Sequence, residues 1–401
     1  MRVLYIAHCP DLAGANRSLL QMVIELRAHH GVEPVILFPD CGNEGPSIKT
    51  VCETESIPYV EHRIENFKKP EDCSFLTKVK FVIKQTYCVS HLLWLLRKEH
   101  FDIIHTNTSV NDTGAYLSTL KRTKHVWHLR EFGYDDFGLV SCLGKHYEKW
   151  IYTKCDKFIA ISDVIKAQAS DVIDSGRIDR VYNGIKMPDA GLMSHHASDK
   201  FNICVVGRVE PKKNQFEALK AVKQLIEKGV TQLHLYIIGK EDKQYKNELL
   251  AFISVNNLSD YCTFTGELSD VPSFLSNMDI GLMTSEREAF GRVTVEYMLQ
   301  NLAVVASNTG ANREIINDGV DGLIYKLGDI NDFAVKLESL ISDREYLRSI
   351  ANKGEMKAKA EFSSKANSDG VYTVYEIITN KKQLTNRIMN KKFTPPPDEN
   401  S

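Results

Sequence analysis

No stretch of this 401-residue chain approaches the roughly 18 consecutive apolar residues that a membrane-crossing helix needs. The densest run, Leu92-Leu93-Trp94-Leu95-Leu96, is bounded by His91 and Arg97. The start, Met1-Arg2-Val3-Leu4-Tyr5-Ile6-Ala7, is too short and too soon interrupted for a secretory leader and reads as a first buried strand. An excess of either charge is also missing. Fifty Lys and Arg against 52 Asp and Glu leave a net charge of −2, so no global field favours nucleic acid. The nine cysteines include no Cys-x-x-Cys pair and their number is odd, which implies reduced thiols in a cytoplasmic setting rather than a disulfide frame. Neither Gly-x-Gly-x-x-Gly nor a phosphate-loop Gly-Lys-Ser/Thr occurs. No cluster has metal-ligand spacing: His125 and His128, three apart on one strand, face opposite sides.

What is present is alternation. The length allows two or three domains, and 43% hydrophobic with 25% charged residues is the composition of a globular protein. Short apolar runs at Val3–His8, Pro34–Phe38, Tyr59–His62, Ile103–Thr106, His125–Leu129, Lys157–Ile161 and Arg180–Tyr182 are separated by helical patterns such as Arg17–Ala28, Phe75–His100 and Lys145–Lys154. After a polar, turn-rich segment at 189–199, a second series begins: Asn202–Val206, Leu233–Ile238, Thr263–Thr265, Ile280–Met283, Ala303–Ala306 and Leu323–Tyr325. The pattern predicts two doubly wound parallel sheets, each covered on both faces. The expected domains are 1–188 and 200–360, with a helix over 361–385 returning to the first domain and a disordered tail over 386–401.

In such sheets ligands bind beyond the strand C-termini, and three loops there carry chemistry. Glu288-Ala289-Phe290-Gly291-Arg292-Val293-Thr294-Val295-Glu296 follows an apolar run and opens a helix. Gly291 permits close backbone approach, the helix N-terminus offers N–H groups to an anion, and the two carboxylates suit sugar hydroxyls. Solvated helix charges are the plain alternative for such a pair. Gly207-Arg208 with Lys213 supplies a planar fork and a point charge suited to a diphosphate, or simply two solvated cations. Ala13-Gly14-Ala15-Asn16 opens a helix after the first strand, as a ligand cradle or a tight turn. His128 ends its strand as a sugar-hydroxyl partner or a packed core imidazole. The segment Lys78–Lys98 mixes basic and apolar residues, suiting either an anionic membrane surface or a helix covering a sheet.

Taken together these motifs resemble the retaining glycosyltransferases of family four (glycosyl transferases group 1), with the GT-B fold of two Rossmann-like domains facing a cleft. The resemblance runs from Gly14 to Gly322 and is most specific at Gly207-Arg208…Lys213, Glu288…Glu296 with Phe290-Gly291, and Thr309-Gly310…Glu314-Ile315-Ile316. It implies a nucleotide-sugar donor, a UDP-sugar in expectation, a saccharide acceptor that is lipid-linked in surface polysaccharide synthesis, and no cofactor or metal. Arg208 and Lys213 would neutralise the diphosphate, and Glu288 would hold sugar hydroxyls near the anomeric carbon. Glu296 would bind the ribose, and backbone around Ala289, Phe290, Arg292 and Val293 would hold hydroxyls or phosphate. His128 would lie near the primary hydroxyl of the sugar and Gly14 under the diphosphate. A GT-B epimerase or a non-catalytic nucleotide-sugar-binding subunit would share the architecture. The sequence departs from the family at Arg292, where leucine is usual, and at Leu299-Gln300-Asn301, where Ala-Cys-Gly is common.

Overall fold

Val3, Tyr5 and Ala7 alternate with Leu4 and Ile6, and all five are buried. A strand that is apolar on both faces belongs inside a sheet covered on both sides. The computed structural model, which describes residues 1–12, 14–40, 42, 46–71, 73–188 and 200–379, places this segment there. The strands of the first half are β1 (Arg2–Ile6), β2 (Glu33–Phe38), β3 (Tyr59–Glu61), β4 (Lys68–Pro70), β5 (Ile103–Asn107), β6 (Lys124–Leu129), β7 (Leu139–Ser141), β8 (Lys157–Ala160) and β9 (Ile178–Arg180). Seven of them form a parallel sheet in the order β3-β2-β1-β5-β6-β8-β9, while β4 and β7 pair antiparallel as a separate ribbon.

The chain divides into two compact units, one of Met1–Ile161, Ile165–Val181 and the residues from Ser368 onward, the other of Ser162–Val164 and Tyr182–Asn367. In the first unit Val3, Tyr5 and Ala7 point to one core, shared with Leu19, Met22, Val23 and Leu26 of the helix Gly14–His30 and with Val371, Val374, Tyr375 and Ile378 near the chain's end. Leu4 and Ile6 point to the other, against Val89 and Leu92 of the helix Phe75–Leu95 and Leu117 of the helix Thr113–Lys121. The two-residue period of the strand thus assigns each side chain to its layer.

The second unit repeats the scheme with β10 (Phe201–Val206), β11 (Leu233–Ile238), β12 (Cys262–Gly266), β13 (Ile280–Met283), β14 (Ala303–Ser307) and β15 (Leu323–Tyr325), all parallel, in the order β12-β11-β10-β13-β14-β15. Its core joins Ile203, Val205, Leu235, Ile280, Leu282 and Val305 to Leu219 and Val222 of the helix Gln215–Glu227 and Phe333 and Leu337 of the helix Ile330–Ser342.

Some expected boundaries move. The strand expected over 180–182 forms at Ile178–Arg180, because Asp174 caps a short turn over Ser175–Arg177 and Ile178 is the residue that enters the core. The long helix from Phe75 ends at Leu95, where the Leu96 N–H still bonds back to Leu92. The helix expected over 361–385 forms at Ser364–Thr379, set off by Phe362 and Ser363 from the preceding helix Arg344–Glu361. The segment 189–199 and everything after Thr379 lie outside the described residues.

Candidate active site

The topology of the second sheet marks a place before any side chain is considered. From β10 the chain moves outward to β11 and β12, then returns to β13 on the opposite side of β10. The loops after β10 and β13 therefore lead away from a point where the strand order reverses, the standard ligand position in an open α/β sheet.

Gly207 is the first residue after β10, with φ of 150°, and Gly239 follows β11 with φ of 141°. A Cβ on Gly239 would stand 2.0 Å from the Gly207 carbonyl oxygen, so the backbone layers touch here and only glycine fits. Beyond them Pro211–Lys213 form a single turn that ends at Asn214 in the left-handed region, φ 51°. Two bonds fix this turn to the loop after β13: the Thr284 hydroxyl donates to the Lys213 carbonyl at 2.7 Å, and the Glu286 N–H to that of Lys212 at 3.1 Å. The Lys213 ammonium then reaches Glu288 Oε1 at 2.6 Å, both side chains partly open to solvent. Arg208 extends outward, 71% exposed, with Glu210 at 3.4 Å.

Glu288 is held from behind. A Cβ on Gly310 would lie 2.2 Å from the Glu288 carbonyl oxygen, and the Ala311 N–H donates to that oxygen at 2.9 Å. Ser307 and Thr309 hydroxyls both donate to the Ser285 carbonyl, at 2.9 and 3.0 Å. Phe290 is buried, and Gly291 (φ 81°) opens the helix Arg292–Leu299 with Asn312 Oδ1 only 3.0 Å from where a Cβ would be. Ala289, Val293 and Glu296 are partly exposed. Glu296 and Arg292, one helical turn apart, pair at 3.1 Å. Gly207, Arg208, Lys213 and the stretch Glu288–Glu296 thus come together in one unit. The pairing of Arg292 with Glu296 is a feature their spacing allows but the sequence reading did not anticipate.

The first unit has the same kind of switch point between β1 and β5. Gly14 is the exposed first residue of the helix Gly14–His30, and Ala13 lies outside the described residues. Asn16 is buried and ties the loop by donating to the carbonyls of Cys9 at 3.0 Å and Asp11 at 2.8 Å. His128 is buried too. Its Nδ1 meets His105 Nε2 at 3.2 Å and the Arg130 guanidinium at 3.3 Å, while its buried Nε2 has no hydrogen-bond partner among the described residues. Burial first, then the Arg130 charge, holds both imidazoles well below the ordinary range and therefore neutral. Arg130 Nε donates to Asn107 Oδ1 at 2.5 Å, and Glu131 Oε1 accepts from the Ser109 N–H at 2.6 Å and hydroxyl at 2.8 Å.

Gly239 lies outside the loops singled out from the sequence, and the part Asn16 plays in tying its own loop emerges only from the structure. The signal for Gly239 was the glycine directly after the apolar run Leu233–Ile238, and for Asn16 a lone amide in a small-residue loop. Among the described residues no group of three or more His, Cys, Asp or Glu is arranged to hold a metal ion.

Residues 194–357 match the family Glycosyl transferases group 1, and residues 12–187 match Glycosyltransferase Family 4. The chain belongs to the group 1 glycosyltransferases. This glycosyltransferase is 27% identical over 329 residues to the uncharacterized glycosyltransferase MJ1178 of Methanocaldococcus jannaschii, covering 81% of this chain and 86% of that one. It is 23% identical over 374 residues to the UDP-Gal:alpha-D-GlcNAc-diphosphoundecaprenol alpha-1,3-galactosyltransferase of Escherichia coli, covering 86% and 89%. Among solved structures, Anabaena Alr3699/HepE in complex with UDP matches it with a TM-score of 0.77 at 21% identity, over 93% of this chain and 99% of that one. The fold of this glycosyltransferase is GT-B, as its two parallel-sheet units and the likeness to solved glycosyltransferases show.

Proposed function

We propose that this glycosyltransferase moves a hexosyl group from a UDP-sugar to a lipid-linked saccharide, with retention at the anomeric carbon and without a metal ion, in surface polysaccharide synthesis. The observation that carries the reading is the Lys213–Glu288 contact at 2.6 Å across the switch point of the second sheet, directly before the helix that opens at Gly291. It puts a cation for a diphosphate and a carboxylate for sugar hydroxyls side by side.

Lys213 and the outward Arg208 neutralise the donor diphosphate and stabilise the departing UDP, and Gly207 lets the phosphates approach the backbone. The N-terminus of the helix Arg292–Leu299 adds partial positive charge. Glu288 holds the sugar hydroxyls, with backbone groups from Ala289 to Val293 beside it. Glu296 exchanges Arg292 for the ribose hydroxyls. In the first unit the unpartnered Nε2 of His128 is the atom suited to the primary hydroxyl of the sugar, and Gly14 offers a helix N-terminus to phosphate. With these cations in place the leaving group needs no metal. Retention then follows from attack on the face that UDP leaves. The E. coli relative, named for a diphosphoundecaprenol-linked acceptor, supports a lipid-linked saccharide here and hence a cytoplasmic enzyme at the inner face of the cell membrane.

Calorimetry with UDP, GDP and ADP, followed by incubation with UDP-sugars, tests the reading. Selective UDP binding and slow UDP release support it, and binding of none of the three removes the Lys213–Glu288 site from nucleotide chemistry.

A further inference from the structure

The helix Phe75–Leu95 has two apolar faces. One, with Phe81, Cys88, Val89 and Leu92, is buried. The other is open: Phe75 is 77% exposed, Leu76 68%, Ile83 63%, Tyr87 70% and Trp94 58%. At 100° per residue these side chains, with Val79, fall within about a third of the helix circumference, and from Phe75 to Trp94 the strip runs about 28 Å. The exposed Thr86 and Ser90 are the polar residues within this sector, and a monomeric protein seldom leaves so many large apolar side chains on one helix face uncovered.

Its charge says what covers it. The helix contains no carboxylate. Lys78 lies along one edge of the strip, Lys80 and Lys84 along the other, and Arg97 and Lys98 follow its end, all exposed. Arg97 sits over the Trp94 ring at 4.6 Å, keeping an aromatic and a cation together at that end. Beside the strip a groove of about 240 Å³ runs between this helix and Thr113–Lys121, lined by Phe81, Val82, Val89, Leu93, Leu120 and Leu143 among others. A second copy of the chain docked on the same strip would bring lysines against lysines, which costs affinity. An anionic lipid surface satisfies both components: acyl chains take the apolar strip, and headgroups meet the flanking cations.

We propose that the strip Phe75–Trp94 is a membrane-docking surface that lies in the plane of an anionic phospholipid bilayer. The inference deepens the proposal of a lipid-linked acceptor and takes its biological sense from it, but vesicle binding does not require transfer activity.

Co-sedimentation with vesicles tests it. Binding is expected to vesicles of phosphatidylcholine with about one third phosphatidylglycerol, to be at least about tenfold weaker with phosphatidylcholine alone, and to fall as salt is raised. The double variant Ile83→Glu/Trp94→Glu is expected to lower binding at least about tenfold by placing charge in the strip, with UDP affinity and circular dichroism unchanged. Lys80→Ala/Lys84→Ala is expected to reduce the salt-sensitive part of binding. Equal binding to both vesicle types, no binding to either, or full binding by the Glu variant overturns the proposal. So does a wild-type dimer that the Glu variant converts to monomers, since a second copy would then own the strip. Vesicle binding without UDP binding would instead overturn the transfer reading and leave the docking surface standing.

Discussion

Lys213 gives one of its three ammonium donors to Glu288, and under the proposed function the other two would go to phosphate oxygens. The proposed function gives the pair opposite tasks, so its two halves should fail differently. Lys213→Ala is expected to weaken UDP binding about tenfold, the loss of one charge-assisted contact, and unchanged affinity in calorimetry would take Lys213 out of the phosphate site. Glu288→Ala is expected to lower turnover about a hundredfold or more with UDP affinity little changed, because the proposed role of the carboxylate is on the sugar. Turnover within a factor of about two of wild type would refute that role. Both residues were legible in the sequence through local spacing, since a short loop keeps sequence neighbours together in space. Their contact was not, because 75 residues separate them and only the return of β13 to the side of β10 joins them. His128 was legible as a strand-end residue, while its His105 and Arg130 partners depend on the pairing of β5 with β6.

At the scale of elements, the loops around the site are shaped by contacts that tolerate no added atom. Gly310 has φ of 53° and would place a Cβ 2.2 Å from the Glu288 carbonyl oxygen and 2.6 Å from its nitrogen. Gly310→Ala is therefore expected to displace the Glu288 loop, lowering turnover about tenfold or more and stability by about 1–3 kcal/mol. A variant with wild-type turnover and melting temperature would show that the loop absorbs the methyl group freely. The sequence marks Gly310 as part of a glycine-bearing loop but not what it touches. Most strands were readable because burial on both faces leaves continuous apolar runs such as Ile103–Ile104 and Val304–Val305. The ribbon of β4 and β7 was not: Lys68-Lys69-Pro70 carries no apolar signal, and the antiparallel pairing with Leu139–Ser141 is a tertiary event. Gly184 reads as a turn, yet a Cβ there would lie 2.6 Å from Ser364 Cα, so its small size serves contact with a segment 180 residues away.

At the scale of the molecule, the end of the chain completes the core of the first unit, where the Tyr375 hydroxyl meets His105 Nδ1 at 2.7 Å. The sequence supports a returning helix there but does not show that it closes over buried imidazoles. That burial has a consequence for stability. Burial holds His125 down to about 3 and, with the charge of Arg130, holds His105 and His128 well below 6.5. When pH falls through 6.5 the unfolded chain takes up protons at these rings that the folded chain refuses, so their contribution is full above that pH and is lost below it. Asp112 works in the other direction. Burial pushes its carboxyl from 3.8 up to about 7, so the folded state gains a proton there first and the contribution of Asp112 grows as pH falls from 7 towards 3.8. Three imidazoles outweigh one carboxyl, and the first unit is expected to lose stability between about pH 7.5 and pH 5. All three tryptophans, Trp94, Trp127 and Trp150, lie in that unit, so denaturant unfolding followed by tryptophan fluorescence reads it alone. His125→Gln removes one of the refusing rings and should flatten the pH profile even if it lowers stability throughout. A wild-type midpoint that holds constant or rises as pH drops over this range would mean that the rings accept protons in place and that the imidazole layer is open to water.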